Sequence, residues 1–248
     1  LPVVSITDEQ GTIIIRPDTV IDHSCHFPTT DYKAIPETTF YLGPKYFPLN
    51  PDFDEFTSRQ KQIPEIAVKV LIIFGGSDHN GFTERTARYL AASDGLDVTV
   101  LLGPAVNNRE SIETGLLALG VTVLSCPPSI ARIMFESDIA VTSGGNTTFE
   151  FAAMGTPTIT LCVRERQNRH CAFFQDCGVL INLGIGDDVD IETLGETVFS
   201  LARDSERRRR MSVAGRKLVD GEGLRRVVKA ISLVAQIDAR NAHEEYIQ

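Results

Sequence analysis

The chain has 248 residues, 42% hydrophobic and 23% charged, the composition of an ordinary water-soluble protein with room for one large domain or two small ones. Its formal net charge of -9 argues against a nucleic-acid binder, which is basic overall or carries a basic face. No apolar run reaches the roughly 18 residues of a membrane span, so none is expected, and the five cysteines form no CxxC pair, which reads as reduced, buried thiols in a cytoplasmic protein.

Residues 1–64 are rich in proline and poor in helical period, and "TVIDHSCHFPTTDYKAIPETTFYLGPKYFPLNPDF" reads as short strands and loops. The chain opens without a Met and inside a strand-like pattern, so these residues read as the remnant of a preceding domain, ending in the linker "TSRQKQIPE". From residue 65 to 240 the pattern changes. "VKVLIIF" (68–74) is a continuous β-branched run, the mark of a strand buried on both faces. After "GGSD" comes the helix "FTERTARYLAAS", then the strand "DVTVLL", the helix "NNRESIETGLLALG" and the strand "VTVLS". "SIARIMFES" is a short helix, "DIAVTS" a strand, "TTFEFAAMG" a helix, "TPTITLCV" a strand, "QNRHCAFFQDCG" a helix and "VLINLG" the last strand. Three helical stretches and a frayed tail, "NAHEEYIQ", complete the chain. Strand–helix repeats with short connections predict an α/β fold with a doubly wound parallel sheet, which binds ligands at the carboxyl ends of its strands.

The chemistry-bearing residues cluster at those ends. In "FGGSDHNG", Gly75 and Gly76 allow a sharp turn and close approach of a ligand, and the N–H groups of Ser77 and Asp78 fall near a helix N-terminus, where phosphate is favoured. Ser77 or Asp78 acting as a plain helix cap is the competing reading. "SGGNTTFE" is a second loop of the same construction, expected two strands away in the sheet, with Gly144, Gly145, Asn146 and Thr147. Asn146 or Thr147 capping the helix, with Glu150 closing a capping box, accounts for the hydroxyls but not for the paired glycines. Two such loops together point to a diphosphate, and a carboxylate at Glu150, one turn into the helix, suits a ribose diol. Downstream, Arg164, Arg166 and Arg169 bring positive charge, and Gln167 and Asn168 can hydrogen-bond a sugar. The basic run "DSERRRRM" reads as a solvated helix face. "DHSCHF" offers Asp22, His23, Cys25 and His26 but no fourth zinc ligand at sensible spacing, so no metal is expected. His79 and His170 are the other candidate acid–base groups.

These motifs, "GGSD" after a strand, "SGG-T-FE-AAMGTPTI" and the downstream "RQN", resemble the nucleotide-binding half of GT-B proteins. They are most similar to the UDP-sugar hydrolases of pseudaminic acid biosynthesis and their spore-coat polysaccharide relatives, which in turn resemble the UDP-N-acetylglucosamine transferase that makes lipid II. "VIDH" and "YLGPKYFPLNPDF" resemble the segment before the second domain of these hydrolases, so the resemblance spans about Val20 to Asp220. It implies that residues 65–240 are a UDP-sugar-binding, Rossmann-like domain. Gly75, Gly76, Ser77 and Asp78 would face the diphosphate and sugar, and Gly144, Gly145, Asn146 and Thr147 would hold the phosphates. Glu150 would bind the ribose, Cys126 to Ile130 would pass the uracil, and Gln167 and Asn168 would reach the sugar. No cofactor is implied. The family's glycine-rich loop with a histidine, the base for water attack, has no counterpart here, so the catalytic group is left unassigned, to an absent N-terminal domain or a partner. The implied function is hydrolysis of the sugar–phosphate bond of a UDP-linked amino sugar in surface-glycan or nonulosonic acid biosynthesis. The alternatives are a glycosyltransferase of polysaccharide biosynthesis with a UDP-sugar donor, and a non-catalytic nucleotide-sugar-binding module.

Overall fold

A computed structural model describes residues 3–7, 17–25, 38–78 and 80–245. They divide into two compact units, residues 52–218 and residues 1–51 together with 219–248.

The larger unit is built on six parallel strands, β4 (Lys69–Ile73), β5 (Asp97–Leu101), β6 (Thr122–Leu124), β7 (Ile139–Thr142), β8 (Thr158–Cys162) and β9 (Leu180–Ile185). Their order is β6-β5-β4-β7-β8-β9. Numbered within the unit this is 3-2-1-4-5-6, the doubly wound arrangement whose switch point lies between its first and fourth strands. Here that is the β4–β7 pair, with Val70 opposite Ile139 and Ile72 opposite Val141. The two glycine loops follow these two strands. They therefore leave adjacent, hydrogen-bonded strands rather than strands two apart, a consequence of the chain doubling back past β4 once β6 is laid down.

The strands are apolar because both faces are covered: Val70, Leu71, Ile72, Ile139, Ala140, Val141 and Ile159 are at most 1% exposed. Helices α2 (Phe82–Ala91), α3 (Arg109–Leu117), α4 (Ile130–Glu136), α5 (Thr147–Met154), α6 (Glu165–Asp176), α7 (Ile191–Arg203) and α8 (Ser205–Leu218) supply the cover, with a single turn, α1 (Asp54–Thr57), ahead of them. In α2 the buried positions Phe82, Thr86, Ala87 and Leu90 recur at helical spacing, and they meet α7 through Leu194, Val198 and Leu201 in one core. Helix α5 is buried nearly all round, as its hydrophobic sequence requires.

The basic run on α8 is only partly a solvated face. Arg207, Arg209 and Arg210 are exposed, whereas Arg208 is fully buried. Its guanidinium donates to the Leu201 and Ala202 carbonyls at the end of α7 (2.5 and 2.6 Å) and to the Pro64 and Glu65 carbonyls of the linker (2.5 and 3.2 Å). A planar group with five donors can satisfy orphan carbonyls from two segments at once, which a run of four arginines does not reveal.

In the smaller unit β1 (Val4–Thr7), β2 (Thr19–Asp22) and β3 (Thr39–Leu42) form a parallel sheet in the order β1-β2-β3. Helix α9 (Gly223–Glu245) belongs to this unit: Val227 and Ala230 bury against Ile21, and Arg226 pairs with Asp220 (2.6 Å) while donating to the Lys45 carbonyl (2.9 Å). The division thus differs from the 1–64 and 65–240 reading because the apolar face of α9 packs on the early strands. The helix also continues through part of the tail expected to fray, to Glu245. None of the helices among the described residues is long and apolar enough to cross a membrane.

Candidate functional site

After β4 the chain turns at Gly75 (φ 74°) and Gly76, and a second backbone lies directly on this turn. A Cβ at Gly103, just past β5, would collide with the Gly75 and Gly76 carbonyl oxygens, and Ala105 N–H donates to Gly76 O at 2.9 Å. Gly103 was not singled out from the sequence. Its signal is only a glycine at the end of a strand. Asp78, held at φ 37°, does not present its carboxylate to the loop's open side. Oδ1 accepts from Phe82 N–H (3.0 Å) and Oδ2 from Thr83 N–H (2.8 Å). The N-terminus of α2 is therefore already neutralised by the protein's own anion, and a phosphate there would meet a carboxylate. Asn80 extends the loop to the turn after β9, donating to both oxygens of Asp187 (3.1 and 3.2 Å). His79 lies outside the described residues.

The loop after β7 has the same composition and the opposite state. Asn146 stands at the N-cap of α5 in helical conformation and its side chain makes no capping bond. The competing reading, a cap by Asn146 or Thr147 with a capping box from Glu150, finds no such hydrogen bond among the described residues. Among the described residues no hydrogen bond occupies the N–H groups of Gly145, Asn146 or Thr147. Gly144 is a matter of space: a Cβ there would lie 2.6 Å from Cys171 Sγ and 2.9 Å from both Cys162 Sγ and Gln167 Cβ. Gly145 is open, with only Gln167 Nε2 at 3.9 Å. One turn in, Glu150 is largely buried with no ion pair. Burial alone raises its carboxyl from 4.5 to about 7. An ionisable group held neutral by burial beside a glycine loop marks a candidate site.

Helix α6 closes the far side. Gln167 accepts from Val163 N–H through Oε1 (2.8 Å), which leaves its Nε2 facing Gly145. Asn168 is turned toward β9: its Oδ1 accepts from Asn182 Nδ2 (2.8 Å) and its Nδ2 approaches Glu165 (3.4 Å). Asn182, unmarked in the sequence, is the hub here, its own Oδ1 accepting from Thr160 Oγ1 and Gly184 N–H at 3.1 Å each. His170 is buried against Phe149 and Phe174, ring centroids 4.9 and 4.5 Å away, with Nε2 2.8 Å from Thr148 Oγ1. It is no exposed acid–base group. Beneath Gly144, Cys162 is held below the usual thiol range by hydrogen bonds, first from Cys171.

The remaining candidates are dispersed. Arg164, Arg166 and Arg169 are exposed at the start of α6. In the segment after β6, Cys126 is exposed at φ 51° rather than buried, because its strand ends at Leu124, and Ser129 caps α4 through Arg132 N–H (3.2 Å). Arg109 ties this segment to the β5 end, donating to Gly103 O (3.1 Å) and to Ser125 Oγ. None of the five cysteines forms a disulfide among the described residues, and Cys177 is also exposed. Among the described residues no three His, Cys, Asp or Glu side chains are grouped to hold a metal, and His26 of the zinc pattern lies outside them.

Comparisons with known proteins identify the family and the fold. The family described as "Glycosyltransferase family 28 C-terminal domain" matches residues 70–223, more than half of the chain, which belongs to that family. The chain is 26% identical over 197 residues to the spore coat polysaccharide biosynthesis protein SpsG of Bacillus subtilis (strain 168), covering 77% of this chain and 57% of SpsG. It thus spans little more than half of that relative's length. Among solved structures it is similar to Acinetobacter baumannii MurG (TM-score 0.65, 17% identity, 94% of this chain and 67% of that one). It is also similar to the glycotransferase of kitacinnamycin (TM-score 0.61, 20% identity, 88% of this chain and 55% of that one). The fold is the Rossmann-like, doubly wound half of GT-B glycosyltransferases.

Proposed function

We propose that this family 28 C-terminal domain is the donor half of a glycosyltransferase-type enzyme of polysaccharide biosynthesis, binding a UDP-sugar at the carboxyl ends of β4 and β7. The observation that carries the reading is the uncapped start of α5. Three unengaged N–H groups and a pair of glycines stand at the positive end of a helix, and the desolvated Glu150 carboxyl sits one turn in. The diphosphate fits the N–H groups of Gly145 to Thr147, and the ribose diol fits Glu150, whose buried oxygens gain the donors they lack. In this reading Gly75, Gly76 and Ser77 approach the diphosphate from the neighbouring loop, with Asp78 holding the start of the following helix in place. Gln167 reaches the sugar side through Nε2, and Asn168 orients α6 through Asn182.

Transfer to an acceptor replaces hydrolysis as the favoured reaction, because the matched family is a glycosyltransferase domain and one similar structure is the glycotransferase of kitacinnamycin. None of the residues named here is assigned as the group that activates the acceptor. Residues that bind the leaving UDP would stabilise its developing charge through preorganised N–H groups and the α5 dipole. Calorimetric titration with UDP tests the reading: the chain binds UDP, and Glu150→Ala raises Kd about tenfold, the value of a hydrogen bond to a charged group. No UDP binding by the wild-type chain would end it. An unaltered Kd in the variant would remove Glu150 from the ribose.

A further inference from the structure

Three groups in the wall behind the second loop are in hydrogen-bond series. Thr148 Oγ1 lies 2.7 Å from Gly145 O and 2.8 Å from His170 Nε2. A hydroxyl has one proton, and a carbonyl oxygen can only accept, so the Thr148 proton goes to Gly145 O. The hydroxyl oxygen then accepts from His170, which fixes the proton on Nε2. The Thr148 N–H donates to the same carbonyl at 3.0 Å. The imidazole is 7% exposed and packs with Phe149 and Phe174 in a cluster of three mutually touching rings, which supports it at this contact.

The consequence follows from the planarity of the peptide bond. In a trans peptide the carbonyl of residue 145 and the N–H of residue 146 point in opposite directions, and no cis peptide is present among the described residues. Drawing Gly145 O into the protein turns Asn146 N–H outward, to the open side of the loop.

We propose that His170 and Thr148 are positioning residues that aim the Asn146 N–H at the diphosphate of the bound nucleotide. The inference rests on the UDP reading above. His170 touches neither phosphate nor ribose. It acts by keeping Thr148 in the donor orientation that Gly145 needs.

The test compares UDP with uridine in calorimetric titrations of the wild-type chain and of Thr148→Val, Thr148→Ser, His170→Phe and His170→Gln. Valine keeps the shape and loses the hydroxyl, and phenylalanine keeps the aromatic packing and loses the N–H. Serine restores the hydroxyl, and a glutamine amide reaches about as far as Nε2. Thr148→Val and His170→Phe should each weaken UDP about tenfold and leave uridine unchanged. The serine and glutamine variants should recover most of the loss, and the valine–phenylalanine double variant should lose no more than one single variant, since both break one series. A purely structural role would weaken UDP and uridine alike, in step with the melting temperature, and would overturn the proposal. If the wild-type chain binds UDP and the valine and phenylalanine variants bind it equally well, the positioning role alone falls. If the wild-type chain binds no UDP, the underlying reading falls and this role falls with it.

Discussion

The loops after β4 and β7 share a recipe, two glycines and short polar residues between a buried strand and a helix, yet they end in opposite electrostatic states. At the first, Asp78 reaches forward to the Phe82 and Thr83 N–H groups and saturates the start of α2 from within. At the second, Asn146 leaves α5 uncapped and Glu150 is buried without a counter-charge. The pair shows how a doubly wound sheet can keep one helix end rigid and leave its neighbour unsatisfied, so that an anion supplied from outside completes only the second. The unsatisfied side carries a stability cost that ligand binding can offset, as expected where a site and a stable core compete.

Substitutions at the glycines should break the comparison most severely. Gly144→Ala drives a methyl into the Cys162 and Cys171 sulfurs, and should cost about 3 kcal/mol of stability and abolish UDP binding. Gly145→Ala meets open space and should be tolerated, both read by thermal denaturation and titration. Glu150→Gln comes next. The folded carboxyl titrates near 7 against 4.5 unfolded. The folded state therefore holds the proton more tightly, and Glu150's contribution to stability is complete below pH 4.5 and lost as pH rises through 7. Glu150→Gln should stabilise the ligand-free chain at pH 8 by up to about 3 kcal/mol and have no such effect at pH 4. In the wild type, UDP affinity should fall about tenfold from pH 8 to pH 6 as the carboxylate is protonated, and the Gln variant should lose Glu150's part of that dependence. Asp78→Ala should lower stability by about 1 kcal/mol through the lost cap while UDP affinity changes little. Asn146→Asp makes the second loop resemble the first. It should raise stability by about 0.5 kcal/mol and weaken UDP.

Much of this was legible in the sequence for physical reasons that can be named. Strands buried on both faces must be continuous apolar runs, so β4 to β9 could be placed from 68–74, 97–102 and their successors to within one or two residues of the observed ends. Glu150 stood out because a carboxylate is costly in an apolar helix. The adjacency of β4 and β7 was not legible, since strand order is settled by packing of distant segments. Asp78's role was legible only as one of two possible caps, Ser77 or Asp78, because a side chain that reaches N–H groups four and five residues on looks in sequence like any loop aspartate. His170 and Arg208 look like surface residues on charged or polar segments and Asn182 like an incidental polar residue in an apolar strand, and only their tertiary partners show that they are buried or central.

The central claim is that the anion binds at the start of α5 and not at the start of α2. Backbone amide shifts of the ¹⁵N-labelled chain during titration with UDP test it directly. The account predicts the largest shifts at Gly145, Asn146 and Thr147, with Phe82 and Thr83 nearly unmoved. Large shifts at Phe82 and Thr83 with none at 145–147 would contradict it.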